Sequence, residues 1–123
     1  MTAPRDTASL AERVEEYGPL AHLVTVSAEG APHVVAVRVE QRDGDLVVAA
    51  GRHTAANAAE RPGVTLLWAA PVGRHYSLIV DGTARALPEP AAPSLAVTPT
   101  RAVLHRTPEG DPQAPSCITV PTP

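Results

Sequence analysis

Gly51 to Trp68, GRHTAANAAERPGVTLLW, sets an arginine, a histidine and a threonine directly ahead of an alanine-rich run that Pro62 closes. The N-terminal end of a helix carries positive partial charge, so Arg52 and His53 stand where the helix field opposes them. A bound anion would remove that conflict. The first amides of a helix have no internal acceptors, Thr54 is a good N-cap for a helix from about Ala55 to Arg61, and Gly51 permits a sharp turn into it. Guanidinium, imidazole and hydroxyl then form a donor cluster suited to a phosphate monoester. The other reading is that Arg52 and His53 simply face water, and the local physics leaves both open.

No other stretch offers comparable chemistry. The sequence has no G-x-G-x-x-G after a strand, no G-x-x-x-x-G-K-[ST], no G-x-S-x-G and no H-E-x-x-H. His22, His33, His53, His75 and His105 are scattered singly without ligand spacing, so no metal site is expected. Asp81, beside Gly82, is read as a carboxylate at a solvent-facing bulge rather than a catalytic acid. The single cysteine, Cys117, gives neither a disulfide framework nor a metal-binding thiol pair. A formal charge of -3 and an aromatic content of 2% argue against a basic, stacking surface for nucleic acid. No apolar run reaches the ~20 residues of a membrane span. Arg5, Asp6, Glu12 and Arg13 interrupt any apolar signal core, so no membrane is expected as a partner and the expected location is cytoplasmic.

The elements that must position the cluster are mostly strands. Ser9 and Glu12 have capping-box spacing ahead of a short helix whose Leu10, Val14 and Tyr17 share a face, and Gly18-Pro19 stops it. AHLVTVS (21–27) and PHVVAVRVEQR (32–42) form an antiparallel pair. Asp43-Gly44 then turns a hairpin into LVVAAG. The helix after Gly51 is shorter than the ~12–15 residues needed for independent stability, so strands must hold it. GVTLLWAA and YSLIVDGTARAL follow, the latter with Gly82 at a bulge or close approach. SLAVTPTRAVLHR is a last strand interrupted at Pro99. Trp68, within TLLW, is read as core. Six short strands with two small helices predict a mainly β fold, an antiparallel barrel that hides its sheet edges. Compact order is expected to thin out at PEPAAP (88–93) and from Pro108 onward, so the domain is placed at 1–107 with a proline-rich, mobile tail at 108–123; CITV in that tail is the one segment able to add a strand to a neighbour.

The order of the first helix, AHLVTVSAEGAPHVVAV, DGDLVVAAGRHTAANAAERPGVTLLW and YSLIVDGTARAL resembles the FMN-binding split β-barrel of the pyridoxamine 5′-phosphate oxidase-like superfamily, over roughly residues 8 to 107. The resemblance implies a homodimer with two FMN sites at the subunit interface. The phosphate would be held by Arg52, His53 and Thr54, with Asn57 one turn on. The flavin ring would lie along Val35, Ala36 and Val37 and along Ala49, Ala50 and Gly51, with Ser77, next to Tyr76, reaching it from the partner subunit. Thr54 stands where many members have lysine, and HVVAV lacks the strand-two arginine of the oxidases. The proline-rich tail also does not match the segment with which the oxidases bind substrate, so vitamin B6 oxidation is not expected. The implied function is an FMN-dependent oxidoreductase of unknown small-molecule substrate. A deazaflavin-dependent reductase and a non-catalytic flavin- or haem-binding module are the alternatives.

Overall fold

Asp43 and Gly44 take φ values of 53° and 84°, the paired positive angles of a tight hairpin turn. They join strand β2 (Pro32–Arg42) to β3 (Asp45–Ala49). Upstream, helix α1 (Leu10–Tyr17) begins at Ser9, whose hydroxyl accepts from the Glu12 amide while Glu12 returns a bond to the Ser9 amide. Gly18, at φ 91°, ends it and delivers the chain to β1 (Leu20–Val26). The computed structural model describes residues 8–88, 93–107, 109–110 and 112–123. Most of PEPAAP, where order was expected to thin out, lies outside these residues, as does Pro108.

Helix α2 (Arg52–Glu60) separates β3 from β4 (Gly63–Trp68), which is followed by β5 (Ser77–Leu87), β6 (Ser94–His105) and β7 (Cys117–Val120). The strand order is β3-β2-β1-β4-β5-β6-β7, all antiparallel, and a further pairing of β3 with the first half of β6 closes the first six into a barrel. Inside it Leu23, Leu66, Leu78, Val80, Val97 and Leu104 are fully buried. The expected core role of Trp68 holds: its ring is buried and its Nε1 donates to the Gly18 carbonyl at 2.9 Å. Both helices pack against this barrel. Neither is long and apolar enough to cross a membrane, nor is any helix among the described residues.

The last strand is not interrupted at Pro99. β6 runs through it by a bulge: Asp81 faces Arg101 and Gly82 faces Pro99, leaving Thr100 as the extra residue. A Cβ on Gly82 would lie 2.6 Å from both the Thr98 carbonyl oxygen and Val97 Cγ1, so the close approach expected at this glycine is observed.

The tail differs from expectation. CITV forms β7 and pairs with Ala102–His105, burying Ile118 and Val120, so the sheet continues well past residue 107. Two groups make this possible. The buried Arg106 guanidinium donates to the carbonyls of Thr107, Glu109, Ala114 and Pro115, and the Tyr76 hydroxyl donates to Pro115 at 2.6 Å. The carbonyls of a proline-punctuated loop thus find donors in side chains rather than in a ladder.

Candidate functional site

β2 pairs with two different partners along its length. Val39–Arg42 lie against Asp45–Val48 of β3, whereas Pro32–Arg38 lie against β1. The β2–β3 pairing ends at Val39, and N-terminal to it β2 shares a groove with the start of α2. Asn57 Nδ2 donates to Thr25 Oγ1 of β1 at 3.1 Å, and Arg61 Nε donates to the Val26 carbonyl at 2.7 Å, which fixes the helix across the opening. What remains is an open groove of about 330 Å³ lined by His33, Val35, Ala36, Val37, Ala49, Gly51, Arg52, His53 and Thr54. A second groove of similar size, about 340 Å³ between α1 and β2, has no cation among its lining residues. Chemistry, not volume, distinguishes the first.

The helix opens three residues earlier than expected. Gly51 is the N-cap, with φ -73° and ψ 173° and no side-chain cap bond, so Arg52 and His53 lie within the first turn. Thr54 is therefore not the cap. At the third helical position its side chain turns inward, only 2% exposed, and lines the groove instead of folding back onto the helix amides. Glycine is tolerated as an N-cap because it adopts the extended conformation without supplying an acceptor. The amides of Arg52, His53 and Thr54 are consequently left without helical acceptors, and the first turn contains no acid. Among the described residues, neither Arg52 nor His53 has an ion pair, and the Thr54 hydroxyl has no hydrogen-bond partner. The end of the groove thus collects donors and no acceptor for them.

Along the other side, Val35 and Val37 lie on the same face of β2 and with Ala49 give an apolar floor, while Ala36, on the opposite face, stands at the rim. Three of the expected residues, Ala50, Asn57 and Tyr76, do not line the groove, and Ser77 was expected from a partner subunit. Ala50 is buried behind the groove, its amide donating to the Pro93 carbonyl. Asn57 is used to tie α2 to Thr25. Tyr76 is buried, its hydroxyl on Pro115 and its carbonyl accepting from the Tyr17 hydroxyl at 2.7 Å, so its ring cannot line the pocket. Ser77 begins β5 on the outer face, the face of Ile79 and Asp81. Asp81 accepts from Thr65 Oγ1 at 2.7 Å and faces Arg101, as suits a structural carboxylate. His33 was not expected at the site, yet it lines the groove. The alternation that places Val35 and Val37 there already puts His33 on the same face.

Outside the barrel, apolar side chains gather where polar ones would be usual. Leu20 is 65% and Val34 57% exposed, and register carries the surface from Val34 to Val24 and from His22 through Leu67 to Ile79. Ala36 belongs to this face and to the groove rim, so the two surfaces are continuous.

Residues 10–116 match the family profile described as pyridoxamine 5′-phosphate oxidase. An uncharacterized protein of Mycobacterium bovis, Mb0449c, is 37% identical over 128 residues, covering 92% of this chain and 89% of its own. A Clostridium acetobutylicum protein related to general stress protein 26, of the pyridoxinephosphate oxidase family, superposes with a TM-score of 0.68 over 89% of each chain at 13% identity. An F420 reductase superposes with a TM-score of 0.61 at 22% identity, over 70% of this chain and 90% of its own.

Proposed function

The chain belongs to the pyridoxamine 5′-phosphate oxidase family of split β-barrels, and from that premise we propose that it is a flavin-binding oxidoreductase holding FMN in the groove beside α2. The observation that carries the reading is the donor set at one end of the groove: Thr54, whose hydroxyl has no partner among the described residues, beside the first amides of α2 and two basic side chains without an ion pair. A terminal phosphate supplies the acceptors that this end lacks. The apolar floor suits one face of a tricyclic ring.

In this reading Arg52, His53, the Thr54 hydroxyl and the first amides of α2 hold the phosphate. Val35, Ala36, Val37 and Ala49 orient the ring and keep water from its covered face. When bound, the flavin supplies hydride or electron transfer, and no groove side chain serves as nucleophile. Asn57 positions α2 rather than touching the cofactor.

A second copy of the chain completes the proposal. The outer face exposes Leu20 and Val34 and reaches the groove rim at Ala36, a place where a second copy can cover apolar side chains. Ser77, outward on β5, is the residue of the expected pair that a partner can present; Tyr76 is committed to its own core. Sedimentation should give a dimer, and a monomer that still binds flavin would exclude a shared site.

A second reading, with a deazaflavin in the groove, draws on the likeness to the F420 reductase. Absorbance of the purified protein tests both. A flavin band, or one gained on adding FMN, supports the first, and a gain with a deazaflavin coenzyme alone supports the second. A Soret band would point to a haem-binding module, and a colourless protein that gains nothing would overturn the assignment.

A further inference from the structure

Tyr76 stands immediately ahead of β5, and its hydroxyl and its carbonyl are both engaged. The hydroxyl donates to the Pro115 carbonyl at 2.6 Å, and the carbonyl accepts from the hydroxyl of Tyr17, the last residue of α1, at 2.7 Å. The ring between them is buried. Pro115 accepts a second bond, from Arg106 Nε at 3.3 Å, so both lone pairs of that carbonyl are in use. Arg106 is itself held by the carbonyls of Thr107, Glu109 and Ala114 at 2.9, 2.8 and 2.6 Å.

These contacts close a ring around one residue. Arg106 follows His105, His105 faces Ser77 in the β5–β6 register, and Ser77 follows Tyr76. The backbone of Ser77 is therefore held on one side by its strand partner and on the other by the residue before it, and the two holds meet at Pro115. The start of an element is where local opening costs least. Here α1 and the segment after β6 both spend donors on it, and the Glu16–Arg74 ion pair at 2.9 Å ties the preceding loop to α1 as well. Ser77 itself takes the outer face of β5, away from the core that this ring of contacts serves.

We propose that Tyr76 is a positioning residue: with Tyr17 and Arg106 it fixes the start of β5 so that the Ser77 hydroxyl meets the flavin held by a second copy of the chain, which rests on the flavin and second-copy readings above. The segment after β6 then serves a site that it does not touch. A group that must meet a ligand has to be held to a fraction of an ångström by neighbours whose own rotamers are locked. Tyr76, buried and bonded at both polar ends, is such a neighbour.

The test is fluorescence titration of FMN on single and paired variants, with urea denaturation beside it. Ser77→Ala should weaken FMN roughly fivefold, the scale of one hydrogen bond. Tyr76→Phe keeps the ring in the core and should weaken FMN about two- to fivefold, no more than Ser77→Ala does. Tyr17→Phe, which releases the same peptide from α1, should act in the same direction. Adding either to Ser77→Ala should change FMN affinity no further, because their effect passes through that hydroxyl. Ser9→Ala, which lowers the urea midpoint through a cap outside this ring, should leave FMN affinity unchanged. Tyr76→Phe and Tyr17→Phe that both bind FMN as tightly as the unsubstituted protein overturn the inference, as does a weakening that adds in full to that of Ser77→Ala. An unchanged affinity in Ser77→Ala also overturns it and leaves the groove assignment standing. An unsubstituted protein that FMN does not bind overturns both.

Discussion

The two helices of this fold begin in opposite ways. At α1, Ser9 and Glu12 exchange hydrogen bonds with each other's amides, an acid sits in the first turn, and Leu10 and Val14 are driven into the core. At α2, glycine stands at the cap, two basic residues open the helix, and no acid accompanies them. The first helix start is complete within the chain; the second leaves donors unspent and cations facing a field of their own sign. The contrast separates a start built for stability from one built around a missing acceptor. Both are made of nearby residues in sequence, so the difference is chemical rather than topological.

Substitutions at the two ends sharpen this comparison. The largest expected effect is on ligand affinity: Arg52→Ala with His53→Ala should weaken FMN binding by roughly 1–3 kcal/mol through lost charge-assisted hydrogen bonds. Fluorescence titration measures it, and an unchanged dissociation constant would remove this loop from the site. Next, Ser9→Ala should cost about 1 kcal/mol of unfolding free energy through loss of the cap. Urea denaturation reads that loss, and flavin affinity should not move. Converting the second start toward the first, Arg52→Glu should stabilise the flavin-free fold by about 0.3–1 kcal/mol while weakening FMN binding. A fall in the urea midpoint would mean that Arg52 supports the fold in a way the geometry does not reveal.

The smallest effect concerns α1 and is read by pH. Burial works against the charged form of Glu16, near the end of α1, but hydrogen bonds from Arg74 and Arg13 outweigh it and hold the carboxyl below its ordinary value. A depressed value contributes stability above the ordinary carboxylate range and loses it as pH falls through the folded-state value. Acid should therefore loosen the contact between α1 and the loop before β5. Arg74→Met should make the urea midpoint fall less steeply on the acid side, and an identical slope would show that the pair contributes nothing.

Features that depend on three or four neighbouring residues were legible in the sequence. The capping box at Ser9, the Asp43-Gly44 turn, the tight place at Gly82 and the basic opening of α2 are all stated by short stretches, because caps, positive φ and helix-end electrostatics act over one turn of chain. Of the candidate site, the donors at Arg52, His53 and Thr54 also follow from that opening, whereas the floor and rim at Val35, Ala36, Val37 and Ala49 came only with the resemblance to the split-barrel family. The cap itself was misplaced, because Thr54 had two uses for its hydroxyl and only the packed barrel shows that its side chain turns inward.

Other features are decided at a distance. Closure of β3 onto β6, the pairing of β7 that turns a proline-rich tail into sheet, and the burial of Tyr76 against Pro115 join residues a dozen or more positions apart. No local pattern announces Arg106 as the donor that gathers the carbonyls of its loop. His33 shares a groove with Arg52 and His53 only because the β2–β3 pairing ends at Val39 and leaves the start of β2 beside α2. Sequence by itself set which residues carry donors and which face of each strand they take, since alternation and capping are properties of the local backbone. Which donors meet depended on where the strand pairings end, and that is set by packing the whole barrel at once.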